Sequence, residues 1–223
     1  MYILGISCYY HDAAAALLHN GELVAAAEEE RFSRIKFDSD FPQQAIDFCL
    51  AQAGITTHDL DYVVFYEKPL QKFDRIFRTT LAGVPRTTKL FRESMATWFS
   101  EKLWIKSHLL TKLNIPAKKL LFVEHHLSHA ASAFFCSPFQ EAAILTIDGV
   151  GEWTTTALGR ATADWGNGGR NSISLEQEIR FPHSLGLFYS AFTAWLGFQV
   201  NNGEYKVMGM SPYGTPRYMD KVE

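Results

Sequence analysis

An α/β fold of two lobes sharing one strand–helix order is what this sequence predicts, on three observations. Short apolar runs bounded by turn residues alternate with longer helical patterns through the first half of the chain. An Asn-Gly pair separates two of those runs at hairpin spacing. The opening strand–turn–strand pattern then returns at an offset of 141 residues.

The elements follow in order. Tyr2 to Cys8 and Ala13 to His19 read as strands, Asn20-Gly21 as a two-residue turn with positive φ, and Glu22 to Glu28 as a third strand. The alanines of 13–16 and 25–27 also suit a helix, but the turn and the tight spacing decide for strands. The charged stretch Glu28 to Lys36 reads as a solvated strand exit that carries Arg31, Arg34 and Lys36 to one side. Pro42 opens a helical pattern through Ala45, Ile46, Cys49, Leu50 and Ala53, with Gly54 just past its end. Asp61 to Tyr66 is a strand, and Leu70 to Leu113 is mostly helical with breaks near Gly83 and Pro85. The basic residues of that stretch (Arg75, Arg78, Arg86, Lys89, Arg92) read as a solvated face. Leu120 to Glu124 is a strand that feeds a helix from His125 to Phe135.

Residues 1–140 therefore spell a lobe ordered βββαβαβα. In 141–223, Ala142 to Asp148, Trp153 to Gly159 and Leu175 to Arg180 read as strands, and Leu185 to Leu196 as a helix. Ile144, Leu145 and Ile147 match Ile3, Leu4 and Ile6 without gaps, as Ala157 and Leu158 match Ala16 and Leu17. Duplicated ribonuclease H-like lobes of this order form the actin and sugar-kinase superfold, in which each opening hairpin presents its turn to nucleotide phosphates. The superfold hosts many functions, so it licenses a nucleotide expectation and nothing finer. The second lobe is expected to be incomplete, because its pattern stops after about its first helix.

Composition narrows the class. With 47% hydrophobic residues, 20% charged residues and a net charge of -3, the chain has core to bury and no general attraction for nucleic acid or anionic membrane. No apolar run approaches the roughly 18 residues of a membrane span, and the N-terminus has no basic leader before an apolar stretch. Cys8, Cys49 and Cys136 are spaced for neither a disulfide framework nor a CxxC zinc site. The expectation is a cytoplasmic protein with no nucleic-acid or membrane partner.

The densest group of potential ligands is Glu124-His125-His126-Leu127-Ser128-His129. On a helix, His125 and His129 share a face and reach one metal ion together. His126 points about 100° away, toward another purpose such as a hydrogen bond to a metal ligand or a structural hydrogen bond. The alternative is a polar helix start whose histidines bond backbone carbonyls. Asp148 favours the metal, because it ends an apolar strand expected to run beside the strand that feeds the helix, and strand ends face the cleft in α/β folds. Two imidazoles and a carboxylate suit Fe, Mn or Zn. The turn Asp148-Gly149-Val150-Gly151-Glu152 reads either as a plain hairpin or as a loop whose glycines adopt tight conformations and bring N–H groups to phosphate. His11-Asp12 holds the equivalent turn of the first lobe, where His11 could serve as general base or Asp12 could merely cap local amides. Asn202 to Gly214 reads as a loop joining two helices.

Six strings, YYHDAAAAL, EEERFSRIKFD, EHHLSHAASAF, ILTIDGVGEWTTT, FPHSLGLFYSAFT and GEYKVMGMSPYG, together resemble the carbamoyltransferase family that includes nodulation-factor and antibiotic O-carbamoyltransferases. The resemblance spans essentially the whole chain. It implies a metalloprotein lobe similar to the tRNA threonylcarbamoyl-transfer proteins, normally followed by a C-terminal domain that makes carbamoyl-adenylate from carbamoyl phosphate and ATP. The carbamoyl group then passes to a small-molecule hydroxyl acceptor. By motif, His125, His129 and Asp148 match the metal ligands, with Fe the expected ion, and a further aspartate ligand would lie beyond residue 223. His11 and Lys36 match the transfer site, His11 as base and Lys36 as a counter-charge. Asp148 and the turn Gly149, Gly151 and Glu152 match the nucleotide side. Glu204 and Lys206 match a signature placed with the cofactor-binding residues. The resemblance is compatible with a homodimer and with inactivity of the chain in isolation. Competing expectations are an ATP-dependent phosphotransferase and an inactive partner-binding half-lobe.

Overall fold

The computed structural model describes residues 1–164 and 169–222. Among them the chain runs first through β1 (Tyr2–Ser7), β2 (Ala14–His19), β3 (Glu22–Glu28), α1 (Glu30–Ser33), α2 (Gln43–Ala53), β4 (Tyr62–Phe65), α3 (Pro69–Ala82), α4 (Thr88–Ser100), α5 (Ile105–Leu113), β5 (Leu120–Phe122) and α6 (His125–Phe134). The remainder runs β6 (Glu141–Ile147), β7 (Thr154–Thr162), β8 (Ser172–Arg180), α7 (Leu185–Trp195), α8 (Glu204–Met210) and α9 (Met219–Val222).

β1 to β5 form one mixed sheet in the order β3-β2-β1-β4-β5, antiparallel through the hairpins and parallel at β1–β4 and β4–β5. Asn20 and Gly21 have φ of 51° and 90°, the positive pair that lets a two-residue turn follow the strand twist. Side chains alternate across a strand, so Leu4 and Ile6 of β1, Ala15 and Leu17 of β2, and Val63 and Phe65 of β4 share one buried face. α2 and α5 cover it with Ala45, Ile46, Cys49, Leu50, Ile105, Leu109 and Leu113. Each large aliphatic or aromatic side chain so buried contributes about 1.5–3 kcal/mol.

β6, β7 and β8 form a separate antiparallel sheet. Leu4 pairs with Leu17 and Gly5 with Ala16 in the first hairpin; Leu145 pairs with Leu158 and Thr146 with Ala157 in the second. Both partners of each pair are thus displaced by the offset of 141 seen in the sequence. α6 packs on this sheet through Ala130 and Phe134 against Ile144 and Ala161. On its other face Leu145, Ile147 and Leu158 are exposed.

Four expectations are corrected. β6 does not lie beside β5; it opens its own sheet, and α6 bridges the two. The stretch after β3 is not a plain strand exit: it folds into α1, ended by left-handed Arg34, and Arg31 turns back to Glu28 at 2.8 Å. Asn202 to Gly214 is largely helical, because Glu204 organises the start of α8 by accepting bonds from the N–H groups of Asn201 and Gly203. Arg75 is buried rather than solvated, donating to the Glu152 carbonyl at 2.6 Å. The three cysteines are free thiols, and no helix of the described residues is long and apolar enough to cross a membrane.

α2 starts at Gln43, one residue after Pro42, and its first amides need an acceptor. Buried Glu29 supplies it, taking the N–H of Gln44 at 3.2 Å and of Ala45 at 2.8 Å. Glu29→Ala should lower the unfolding free energy by about 1–2 kcal/mol, read as a lower urea midpoint with unchanged slope. An unshifted midpoint would show that these amides find other acceptors.

Candidate metal centre

The C-terminal ends of parallel β1, β4 and β5 lie on one edge of the first sheet, which gathers the segments following them: Cys8 to Asp12, Tyr66-Glu67 and Val123 to His125. α6 begins at that edge. Its N-terminal amides would be unsatisfied there, and Glu152 meets the need from the β6–β7 turn, both carboxylate oxygens standing 3.2 Å from the His125 nitrogen. The same carboxylate accepts the N–H of Lys68, just before α3, at 2.7 Å. One buried acid therefore fastens two helix starts and the second sheet together.

The geometry that follows brings His125, His129 and Asp148 to one point. His125 Nε2 lies 2.8 Å from Asp148 Oδ2 and 3.1 Å from His129 Nε2, and one ligand atom from each residue falls within a 4.8 Å group. Two facing ring nitrogens cannot both offer lone pairs without a cation or a shared proton between them. Burial alone would lower the His125 pKa, but the hydrogen bond to Asp148 and the Glu67 carboxylate outweigh it and raise it to about 9. Burial opposes ionisation of Asp148 too, yet His125 and the Gly149 N–H hold its carboxyl well below the usual carboxylate range. Burial and the neighbouring His125 charge lower the His129 pKa. His126 is structural, in keeping with its 100° offset: Nε2 donates to the Thr154 carbonyl at 2.8 Å, and Nδ1 accepts from the Thr146 hydroxyl at 2.7 Å. That pins α6 to β6 and β7.

Of the two turn glycines, Gly151 serves packing. Neither Gly149 nor Gly151 adopts positive φ, contrary to the tight conformation expected of them. A Cβ on Gly151 would sit 2.9 Å from His125 Cβ, and the Gly151 N–H is taken by the Thr154 carbonyl. Gly186 in α7 has the same purpose, since a Cβ there would lie 2.4 Å from the Asp148 carbonyl oxygen. Ser184 caps α7 by accepting from the Leu187 N–H at 2.9 Å and donates to the Gly149 carbonyl at 2.7 Å.

The remaining predicted residues divide. His11 sits at the first hairpin turn, near enough to His129 to disfavour its charge, with its Nδ1 3.3 Å from Asp12 Oδ2. Lys36 is exposed, its ammonium 4.7 Å over the Phe37 ring. Glu204 also accepts from the Ser190 hydroxyl at 3.2 Å, so its carboxylate is engaged at the α7–α8 junction. Lys206 stands near the Phe198 and Tyr205 rings. No contact among the described residues joins Lys36, Glu204 or Lys206 to the three-ligand cluster. Sequence reasoning missed Glu67, which is fully buried with Oε2 2.7 Å from Lys72 Nζ and 3.6 Å from His125 Nδ1. An acid just past the end of an apolar strand is the signal that selected Asp148, and it applies equally to Glu67.

Comparisons agree with the motifs. The family described as carbamoyltransferase N-terminus matches residues 2–222. An uncharacterized protein of Synechocystis, sll1178, is 54% identical over 99% of this chain and 36% of its own length. Nodulation protein NolNO of Sinorhizobium fredii is 33% identical over 93% of this chain and 28% of its own. The chain thus spans about a third of these relatives. Among solved structures, YeaZ from Pseudomonas aeruginosa matches with a TM-score of 0.42 at 15% identity, covering 81% of this chain and 66% of that one.

The coupled charges set a pH dependence in the metal-free chain. Raising the His125 pKa stabilises the fold fully below its ordinary value of 6.5, and that contribution is lost as pH climbs through about 9. The depressed Asp148 pKa contributes above its ordinary value of 3.8 and is lost as pH falls below it. With chelator present, Tm should fall from pH 6.5 to 9 more steeply in the wild type than in His125→Ala; parallel curves would contradict the coupling.

Proposed function

The chain belongs to the carbamoyltransferase family, whose N-terminus it matches, and from that premise we propose that it carries the metal-holding, carbamoyl-transferring part of an O-carbamoyltransferase. The observation that supports this most is the convergence of His125, His129 and Asp148 beside the His11 turn. The donors fit a metal: two imidazole nitrogens already 3.1 Å apart and a carboxylate that stays ionised. Iron is the proposed ion, manganese or zinc the alternatives. When bound, it supplies Lewis-acid stabilisation of charge on phosphate or carbonyl oxygens.

The chain's own residues do the rest of the proposed work. With Nδ1–H directed to Asp12, His11 presents Nε2 to the acceptor hydroxyl and takes its proton. The hydroxyl oxygen bonds to the carbamoyl carbon as the carbon–oxygen bond to adenylate breaks, and adenylate departs with that electron pair. Lys36 would balance phosphate charge from the exposed side of the site. Asp148 and Gly149 form the proposed nucleotide side, with Gly151 and Glu152 shaping the turn behind them. Glu204 and Lys206, on α8, are proposed to complete the cofactor side through the segment that follows α7. Carbamoyl-adenylate would be made from carbamoyl phosphate and ATP by sequence that the longer relatives carry beyond the matched third, and the same sequence would cover the apolar outer face of the second sheet. A homodimer and a cytoplasmic location are part of this reading.

Two measurements test it. Titrating ferrous ion into the chain should give one site, and His125→Ala or His129→Ala should weaken it at least 100-fold; unchanged metal content would remove the ligand assignment. In the protein at the relatives' full length, carbamoyl phosphate, ATP and a polyol acceptor should yield a carbamate, and His11→Ala should slow its formation about 10²–10⁴-fold. A phosphorylated acceptor formed without carbamoyl phosphate would instead establish a phosphotransferase.

A further inference from the structure

Glu67 stands out among the groups that the proposed reaction does not use. It is a fully buried carboxylate at the end of β4. Burying a charge is costly unless it is paired and hydrogen-bonded. Lys72 meets part of that cost through Oε2 at 2.7 Å, and Lys72 itself rests over the Tyr10 ring at 3.6 Å. Oε1 has no hydrogen-bond partner among the described residues. His125 Nδ1 likewise has none, and it faces this carboxylate at 3.6 Å from Oε2, the oxygen that Lys72 also approaches. That separation is too long for a formed hydrogen bond, yet it leaves two buried, complementary groups opposite each other. Tyr66 packs against the His125 ring with centroids 5.6 Å apart, and the His125 N–H is tied to Glu152, so both ring and backbone are held.

We propose that Glu67 is the positioning residue of the metal centre, accepting the His125 Nδ1–H and thereby presenting Nε2, unprotonated, to an ion shared with His129 and Asp148. The proposal rests on the metal reading above. Its physical basis is general: a ligating histidine donates its second ring N–H to an outer acceptor, which fixes tautomer and orientation, and loss of that acceptor typically weakens metal binding about 10–100-fold. Lys72 would anchor the carboxylate so that its position does not depend on the ion.

Zinc, a diamagnetic probe, tests this by calorimetric titration of the full chain. Glu67→Gln and Glu67→Asp should each weaken zinc binding about 10–100-fold, the second because one methylene withdraws the carboxylate while its charge remains for Lys72. His125→Ala should weaken it further. If both Glu67 variants fold, by circular dichroism, and bind zinc as tightly as wild type while His125→Ala does not, the positioning role is overturned and the metal centre stands. If His125→Ala also binds as wild type, the metal reading fails and takes the proposal with it. Wild type alone gives a second readout that needs no variant. In the zinc-loaded chain, nitrogen-15 NMR should show His125 Nδ1 protonated and Nε2 as the metal-bound nitrogen, and zinc on Nδ1 would overturn the proposal.

Discussion

Much of this structure hangs on the first residue of α6. The His125 backbone N–H is held by Glu152, its ring lies between Asp148 on one side and Glu67 on the other, and its β-carbon packs on Gly151. Two segments distant in sequence, the residue pair after β4 and the β6–β7 turn, therefore meet at this one residue. A helix start needs acceptors, and a buried histidine needs partners on both nitrogens. Glu152 meets the first demand and Asp148 the second at Nε2, which couples the architecture to the site: moving α6 by a fraction of a turn would cost the buried Glu152 contacts as well as the Nε2 arrangement.

The same device recurs at smaller scale. Glu29 caps α2 as Glu152 caps α6, and Ser184 caps α7 while its hydroxyl holds the Gly149 carbonyl. For α2 and α6 a side chain on one segment satisfies the opening amides of a helix on another, whereas Ser184 caps its own helix and ties it to the β6–β7 turn. Favourable charge at a helix N-terminus adds to the hydrogen bonds. Acids that would otherwise be a liability in the interior become the connections between elements.

What could be read from the sequence follows from this. Local signals were legible: Asn20-Gly21 set the hairpin, short apolar runs marked β1, β2 and β4, and the four-residue spacing of His125 and His129 placed both on one helix face. Even the 141-residue repeat carries through to identical strand registers. What was not legible depends on contacts across the fold. Arg75 looks like any solvated helical arginine until the Glu152 carbonyl is placed beside it. Glu152 looks like a turn acid until α3 and α6 present their amides to it. The assignment of β6 to its own sheet, and the helix at Glu204, likewise depend on partners that periodicity does not reveal.

In the proposed metal centre, His125, His129 and Asp148 together would hold one ion. Anomalous diffraction from crystals of the chain grown with ferrous ion tests it most directly. The expected result is a single strong peak within about 2.0–2.2 Å of His125 Nε2, His129 Nε2 and an Asp148 carboxylate oxygen. A peak elsewhere, or none at this cluster with the ion present in excess, would contradict it.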